Sequence, residues 1–99
     1  MKLDTKRSAF IAIDLQQAFC TINGSVARQG RDITPCRDAA LRCVELAGAA
    51  RANGIPVIWT RIALRPDYAD GGLMINEIRP GLKEVGGIKA GTDDAALID

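Results

Sequence analysis

Two short stretches constrain the fold more than anything else in the chain: Ala9 to Asp14, reading Ala-Phe-Ile-Ala-Ile-Asp, and Pro56 to Ile62, reading Pro-Val-Ile-Trp-Thr-Arg-Ile. Each is a run of β-formers that is apolar on both faces of a strand. A half-exposed antiparallel strand alternates, whereas a strand buried between helix layers reads as a nearly continuous apolar run. Parallel neighbours cannot be joined by a tight turn and need a long crossover, usually a helix. The pair therefore predicts a right-handed βαβ unit. Such a unit also fixes where chemistry belongs, because open α/β sheets bind ligands at the carboxyl ends of their strands. The first run ends there on a carboxylate, Asp14.

The segment between the strands supplies the crossover. Thr34-Pro35 reads as an N-cap followed by proline in the first turn, and the spacing predicts a helix from Pro35 to Ala52. Cys36, Ala40, Cys43, Val44, Ala47 and Ala50 form one stripe of mostly small residues, suited to close packing on a sheet. Asn53-Gly54 provides a left-handed stop, with Pro56 just beyond. Leu15 to Arg31 reads as a loop, with Asn23-Gly24-Ser25 and Gln29-Gly30 as its turns. Loops of that length in compact domains are usually functional. Past Arg61 the pattern loosens into a loop, Ala63 to Gly72, at the same carboxyl edge as Asp14. A short helix is expected at Leu73 to Ile78, stopped by Arg79-Pro80-Gly81; Gly86-Gly87 and Gly91 read as turns. Thr92-Asp93-Asp94 reads as the cap of a final helix. Two strands apolar on both faces need further sheet beside them and helices on both sides. The chain is therefore expected to be part of a larger α/β domain.

Several function classes lose support on composition alone. Ninety-nine residues suffice for one domain, and a net charge of +1 with acids and bases interspersed gives no electrostatic case for nucleic acid or an anionic membrane. Met1 to Arg7 is polar and the apolar run behind it is too short for a leader or a membrane span, so a cytoplasmic protein is expected. Three cysteines, an odd number, point to free thiols. On one helix Cys36 and Cys43 would stand about 10 Å apart along the axis. That is beyond the roughly 7 Å a disulfide tolerates. Histidine is absent, which removes the commonest catalytic base, the commonest metal ligand and any Cys–His or Ser–His dyad.

Asp14, Gln16 and Phe19 make a D-x-Q-x-x-F pattern directly behind the first strand. Together with the Thr-Pro helix start, the Asn-Gly-Ile-Pro-Val-Ile entry to the second strand, Thr60-Arg61 at its end and Arg65-Pro66-Asp67 in the next loop, it resembles the isochorismatase-like cysteine hydrolases. The resemblance runs from about Ser8 to Ile98 and corresponds to the N-terminal half of a typical member. It implies a three-layer, Rossmann-like parallel sheet, of which residues 1–99 form the N-terminal portion of a single hydrolase domain. It also implies an Asp–Lys–Cys triad in which Asp14 takes the thiol proton. The thiolate then attacks a carbonyl, and water releases the acyl-enzyme. A thiol of ordinary pKa, about 8.5, is mostly protonated at neutral pH and needs such an acceptor. Backbone amides beside the cysteine would hold the developing oxyanion.

The family's lysine and nucleophilic cysteine match nothing in this chain. Lys83 and Lys89 sit in loop-like sequence, and Cys36 and Cys43 lie on the packing face of the helix. Residues 1–99 alone are thus expected to be inactive. Members that hydrolyse nicotinamide carry a metal-binding Asp-x-His after the second strand; here Thr60 to Arg65 holds no histidine. The resemblance then implies no metal and no cofactor, and a small amide or ureide-type substrate. Gln16, Phe19 and Arg61 would border the pocket, and a homo-oligomer is expected for the intact protein.

Each of these residues also has a purely structural reading. Asp14 could cap a loop, Gln16 could bond loop backbone, Phe19 could be core, and Cys20 reads as a small apolar thiol. Arg61 and Arg65 are either solvated or forks for a substrate carboxylate. Two rival functions remain open. One is an inactive binding or assembly module that keeps the fold without the triad. The other is a phosphoacceptor receiver, which would want a second acid where Leu15 follows Asp14.

Overall fold

A computed structural model describes residues 2–98. Its organising unit is a two-stranded parallel sheet. Strand β1 (Phe10–Ile13) pairs with β2 (Val57–Thr60) in the register Phe10↔Val57 through Ile13↔Thr60. The ladder is closed at one end by Phe10 N–H donating to the Pro56 carbonyl (2.8 Å) and at the other by Asp14 N–H donating to the Thr60 carbonyl (3.1 Å). The fold is α/β.

Between the strands run three helices: α1 (Gln17–Cys20), α2 (Ser25–Arg28) and the long crossover α3 (Thr34–Ala52). The expected loop at Leu15–Arg31 is therefore partly helical. Its turn chemistry acts as capping: Gly24 precedes α2, and a Cβ there would collide with the carbonyls of Gln17 and Ala18. The cap of α3 also differs from expectation. Ile33 is the cap residue and Thr34 the first residue of the helix, and the Asp32 carboxylate just before the cap accepts from Thr34 N–H (2.9 Å). That bond holds the Asp32 carboxyl below the ordinary range. Pro35 sits in the first turn, and Gly54 ends the helix at φ +72°.

Helix α3 covers one face of the sheet. Ala12 is buried against it, in a cluster with Leu15, Cys20 and Ala40 that Phe10, Cys43 and Trp59 flank. Of the stripe, Ala40, Ala47 and Ala50 are buried, whereas Cys36 and Val44 are exposed. The opposite face of the sheet is bare: Ile11, Ile13 and Ile58 are 53%, 67% and 47% exposed.

Beyond β2 the chain builds a second cluster from loops and short turns, comprising Ala18, Leu64, Tyr68, Ile75, Leu82, Ile88 and Ala95. The short helix expected at Leu73–Ile78 is a π-helical turn, Met74–Ile78. It stops at Ile78 as expected, with Arg79 in a non-helical break, and Pro80 then starts α4 (Pro80–Glu84), since a proline fits the first turn, where no amide donor is needed. The final helix does not form. Asp93–Ala95 is a single 3₁₀ turn, after which the chain runs extended and pairs with the residues behind β1. Gln17 N–H donates to Ala96 (2.9 Å) and Ile98 N–H to Leu15 (2.9 Å). The capping carboxylate is spent on tertiary bonds: Asp94 accepts from Ser25 N–H (2.8 Å) and Ile88 N–H (2.7 Å). No helix among the described residues is long and apolar enough to cross a membrane.

Candidate active site

The strand-end aspartate is held in an unusual conformation. Asp14 has φ +57°, a left-handed backbone that among non-glycine residues Asp and Asn adopt most readily. Thr60 at the end of β2 fixes it twice. Its carbonyl takes the Asp14 N–H, and its hydroxyl donates to Asp14 Oδ1 (3.0 Å). The left-handed turn is what swings the chain out of the sheet immediately after β1.

Gln16 sits behind that turn, fully buried. Its side-chain amide makes a closed set of bonds to backbone. Oε1 accepts from Ile62 N–H (2.9 Å), and Nε2 donates to the carbonyls of Ile62 (2.7 Å) and Ala95 (2.8 Å). One glutamine thereby ties the exits of both strands to the C-terminal turn, and its amide has little capacity left for another partner.

Asp14 opens onto a cavity of about 570 Å³. Phe19 and Ile62 line it near the strands; Leu64, Met74, Leu82 and Ile88 line it from the loop-built half. Phe19 packs against both hydrophobic clusters and so forms the hinge of the cavity wall. Arg61 is exposed and is not among the lining residues, although its neighbours Thr60 and Ile62 hold Asp14 and the wall respectively. Arg65 is likewise outside, paired with Asp67 at 3.0 Å.

Two cations that sequence reasoning passed over do line the cavity: Arg31, after α2, and Arg79, between the π turn and α4. No spacing rule links them, because separate loops carry them to the same cavity. Asp70 completes the ionisable groups of the lining, with Oδ1 accepting from Arg65 N–H (3.0 Å).

The thiols stand apart from this site. Cys20 is buried in the α3 cluster, and burial, aided by the neighbouring Cys36, pushes its pKa up, which leaves it protonated and unreactive. Cys36 is exposed and Cys43 half-buried on α3. Lys83 is exposed on α4, and Lys89 lies 5.7 Å from the centre of the Tyr68 ring. Among the described residues no group of three His, Cys, Asp or Glu side chains is arranged to hold a metal ion. The arrangement thus offers two held carboxylates, Asp14 and Asp70, and two guanidinium groups, Arg31 and Arg79, on the lining of a mainly apolar cavity. Its carboxylates can accept a proton.

Comparison with known proteins gives a consistent answer. A ureidoacrylate amidohydrolase RutB from Methylobacterium radiotolerans is 33% identical over 70 residues, covering 71% of this chain and 27% of its own length. A protein of the same name from Methylorubrum extorquens is 29% identical over 108 residues, covering 97% of this chain and 43% of its own. The chain therefore spans less than half the length of these relatives. The family model for the isochorismatase domain matches residues 8–99, nearly the whole sequence, and the chain belongs to the isochorismatase family.

Proposed function

We propose that this chain is the N-terminal portion of a cysteine hydrolase that cleaves a small amide or ureide C–N bond, with Asp14 as the proton acceptor. The observation that carries the reading is a strand-end carboxylate, held by Thr60, opening onto a mainly apolar cavity in a chain of this family. Relatives named as ureidoacrylate amidohydrolases favour a ureide-type substrate. Residues 1–99 then belong to one domain whose remaining strands and helices complete a three-layer sheet, and the lysine and cysteine of the triad come from that remainder. The exposed isoleucines of the sheet support this, since a parallel sheet is normally covered on both faces.

In the proposed reaction the thiol proton passes to Asp14 and the thiolate attacks the carbonyl carbon. The C–N bond breaks as the leaving nitrogen takes up a proton, and water then hydrolyses the thioester, returning the thiol. The apolar lining raises the strength of each charge interaction by excluding water. Phe19 shapes the wall. Gln16 works from behind it by fixing Ile62, and Arg61 borders the site through the backbone that joins Thr60 to Ile62. No cofactor enters this scheme, and the intact protein is read as a cytoplasmic homo-oligomer.

The test is hydrolysis of small ureides by the protein expressed from its complete coding sequence, compared with Asp14→Asn. Asparagine also tolerates the left-handed backbone and keeps an acceptor for Thr60, so the fold is retained while the base is lost. Turnover is expected to fall by about 10²-fold or more, the usual contribution of a general base. Undiminished turnover in the variant removes Asp14 from the mechanism. A stable, folded variant-insensitive protein that only binds ureides would favour the inactive-module reading.

A further inference from the structure

Thr60 and Asp14 are joined by more than the sheet requires. The ladder needs only the Thr60 carbonyl, which takes the Asp14 N–H at 3.1 Å. The Thr60 hydroxyl adds two further contacts to the same residue. Its Oγ1 lies 3.3 Å from the donating Asp14 N–H, and its own proton goes to Asp14 Oδ1 at 3.0 Å. A ring thus runs from the backbone amide of Asp14 through one hydroxyl and back to its own carboxylate. Such a ring fixes side-chain torsions that would otherwise exchange between rotamers at a half-buried position. It also divides the two carboxylate oxygens. Oδ1 is committed to Thr60, whereas Oδ2 has no hydrogen-bond partner among the described residues. Asp14 lines the cavity and Thr60 does not, so the hydroxyl acts on the carboxylate from outside the cavity. Asp70, the other acid of the lining, lacks this arrangement and is held by a backbone amide of its own loop, Arg65 N–H. A strand end accepts any β-former, so the ladder itself does not call for a hydroxyl at this position.

We propose that Thr60 is a positioning residue for the proton transfer: its hydroxyl locks the Asp14 carboxylate and reserves Oδ2 as the oxygen that takes the thiol proton. The S–H bond breaks as the Oδ2–H bond forms, and the electron pair stays on sulfur as the thiolate. This rests on the reading of Asp14 as the base, and it adds which oxygen acts and what aims it. Orientation carries weight in such a step, since a displacement of about 1 Å at a reacting group can cost about 10²-fold in rate.

The experiment follows ammonia release from 3-ureidopropionate by the protein from the complete coding sequence. Thr60→Val keeps the branched shape and the carbonyl that takes the Asp14 N–H, so its melting temperature is expected to stay within about 4 °C of the wild type. Its kcat is expected to fall about tenfold with KM changed by less than about twofold, because the carboxylate loses its aim while the cavity lining is untouched. Thr60→Ser keeps the hydroxyl and should recover turnover to within about threefold, the remainder reflecting its freer rotamers. In an Asp14→Asn background the valine change should cost less than about twofold, since no base is left to position, whereas a general loosening of the fold would cost both backgrounds the same factor. An impaired Asp14→Asn beside a Thr60→Val that turns over like the wild type overturns the positioning role and leaves the base in place. So does an equal loss in the two backgrounds, or a serine variant no better than valine. Undiminished turnover in Asp14→Asn, or no ammonia release by the wild type, removes the base reading itself and the role of Thr60 with it.

Discussion

At the scale of single residues, the backbone outliers converge on one place. Asp14, Tyr68 and Ile88 have φ of 57°, 58° and 56°. For a bulky or β-branched side chain the left-handed region costs on the order of 1–3 kcal/mol, and it persists only where surroundings enforce it. Asp14 and Ile88 line the cavity, and Tyr68 packs in the cluster beneath it with Leu64, Leu82 and Ile88. Each has its enforcing bond: Thr60 on Asp14, Asp94 on the Ile88 amide, and the Tyr68 hydroxyl donating to the Gly87 carbonyl at 2.6 Å. Tyr68 offers a clean reading of this, being the sole tyrosine. Burial, reinforced by Asp94, pushes its phenol pKa up. The folded state then keeps a proton that the unfolded chain loses near pH 10. Stability from this group is whole below that pH and is lost as pH rises through the folded value. Absorbance titration of tyrosinate is expected to give a midpoint above 10 in the folded protein and an ordinary one in denaturant. In Tyr68→Phe, the alkaline fall in melting temperature should flatten while stability at neutral pH drops by about 1–3 kcal/mol through the orphaned carbonyl. A folded-state midpoint at the ordinary value would remove the buried bond from the account.

At the scale of elements, the joint that matters is Gln16. Strand β1, strand β2 and the C-terminal 3₁₀ turn have no common hydrogen-bond ladder; the glutamine amide supplies one. Gln16→Ala would leave the Ile62 N–H and two carbonyls without these partners, in a joint that is buried at Ala95 and part-buried at Ile62. At about 1–3 kcal/mol per stranded group, partly relieved by entering water, a loss of at least about 3 kcal/mol is expected in denaturant unfolding. A loss below about 1 kcal/mol would mean that the joint is held by something else. The sequence pattern made the βαβ unit legible because periodicity and turn residues are local signals: β1, β2 and α3 lie within a residue or two of expectation. Asp14 was legible for the same reason, as an acid at a strand end. What stayed hidden depends on distant partners. Gln16 carries the same letter whether it faces a pocket or a backbone, and only Ala95, far along the chain, decides. The expected last helix failed because Asp94 bonds Ser25 and Ile88 rather than its own turn. Arg31 and Arg79 line one cavity only after the loops have folded.

At the scale of the whole molecule, the surface does not close on itself. The radius of gyration is 15.5 Å, against about 13 Å for a compact chain of this length. The accessible area is 6773 Å², roughly a quarter above the 5,500 Å² or so that a compact monomer of this mass exposes. Part of the excess is identifiable. Ile11 and Ile58 are cross-strand partners on the face away from α3, Ile13 stands beside them, and Leu41 and Leu46 of α3 are 60% and 56% exposed. Contiguous apolar surface on an open two-stranded sheet favours association, both face to face and through unpaired strand edges. The 99-residue chain expressed alone is therefore expected to sediment as dimers or larger species at micromolar concentration. Ile11→Lys combined with Ile13→Lys should shift it toward monomer, because the change is confined to the bare face and leaves Ala12 against α3 untouched. A wild-type chain that stays monomeric at high concentration, or a double variant that associates as before, would show that this face is not what drives association. The double variant separates the two modes of contact. Charge placed on the face blocks face-to-face packing at neutral pH, whereas edge pairing through backbone amides would survive it.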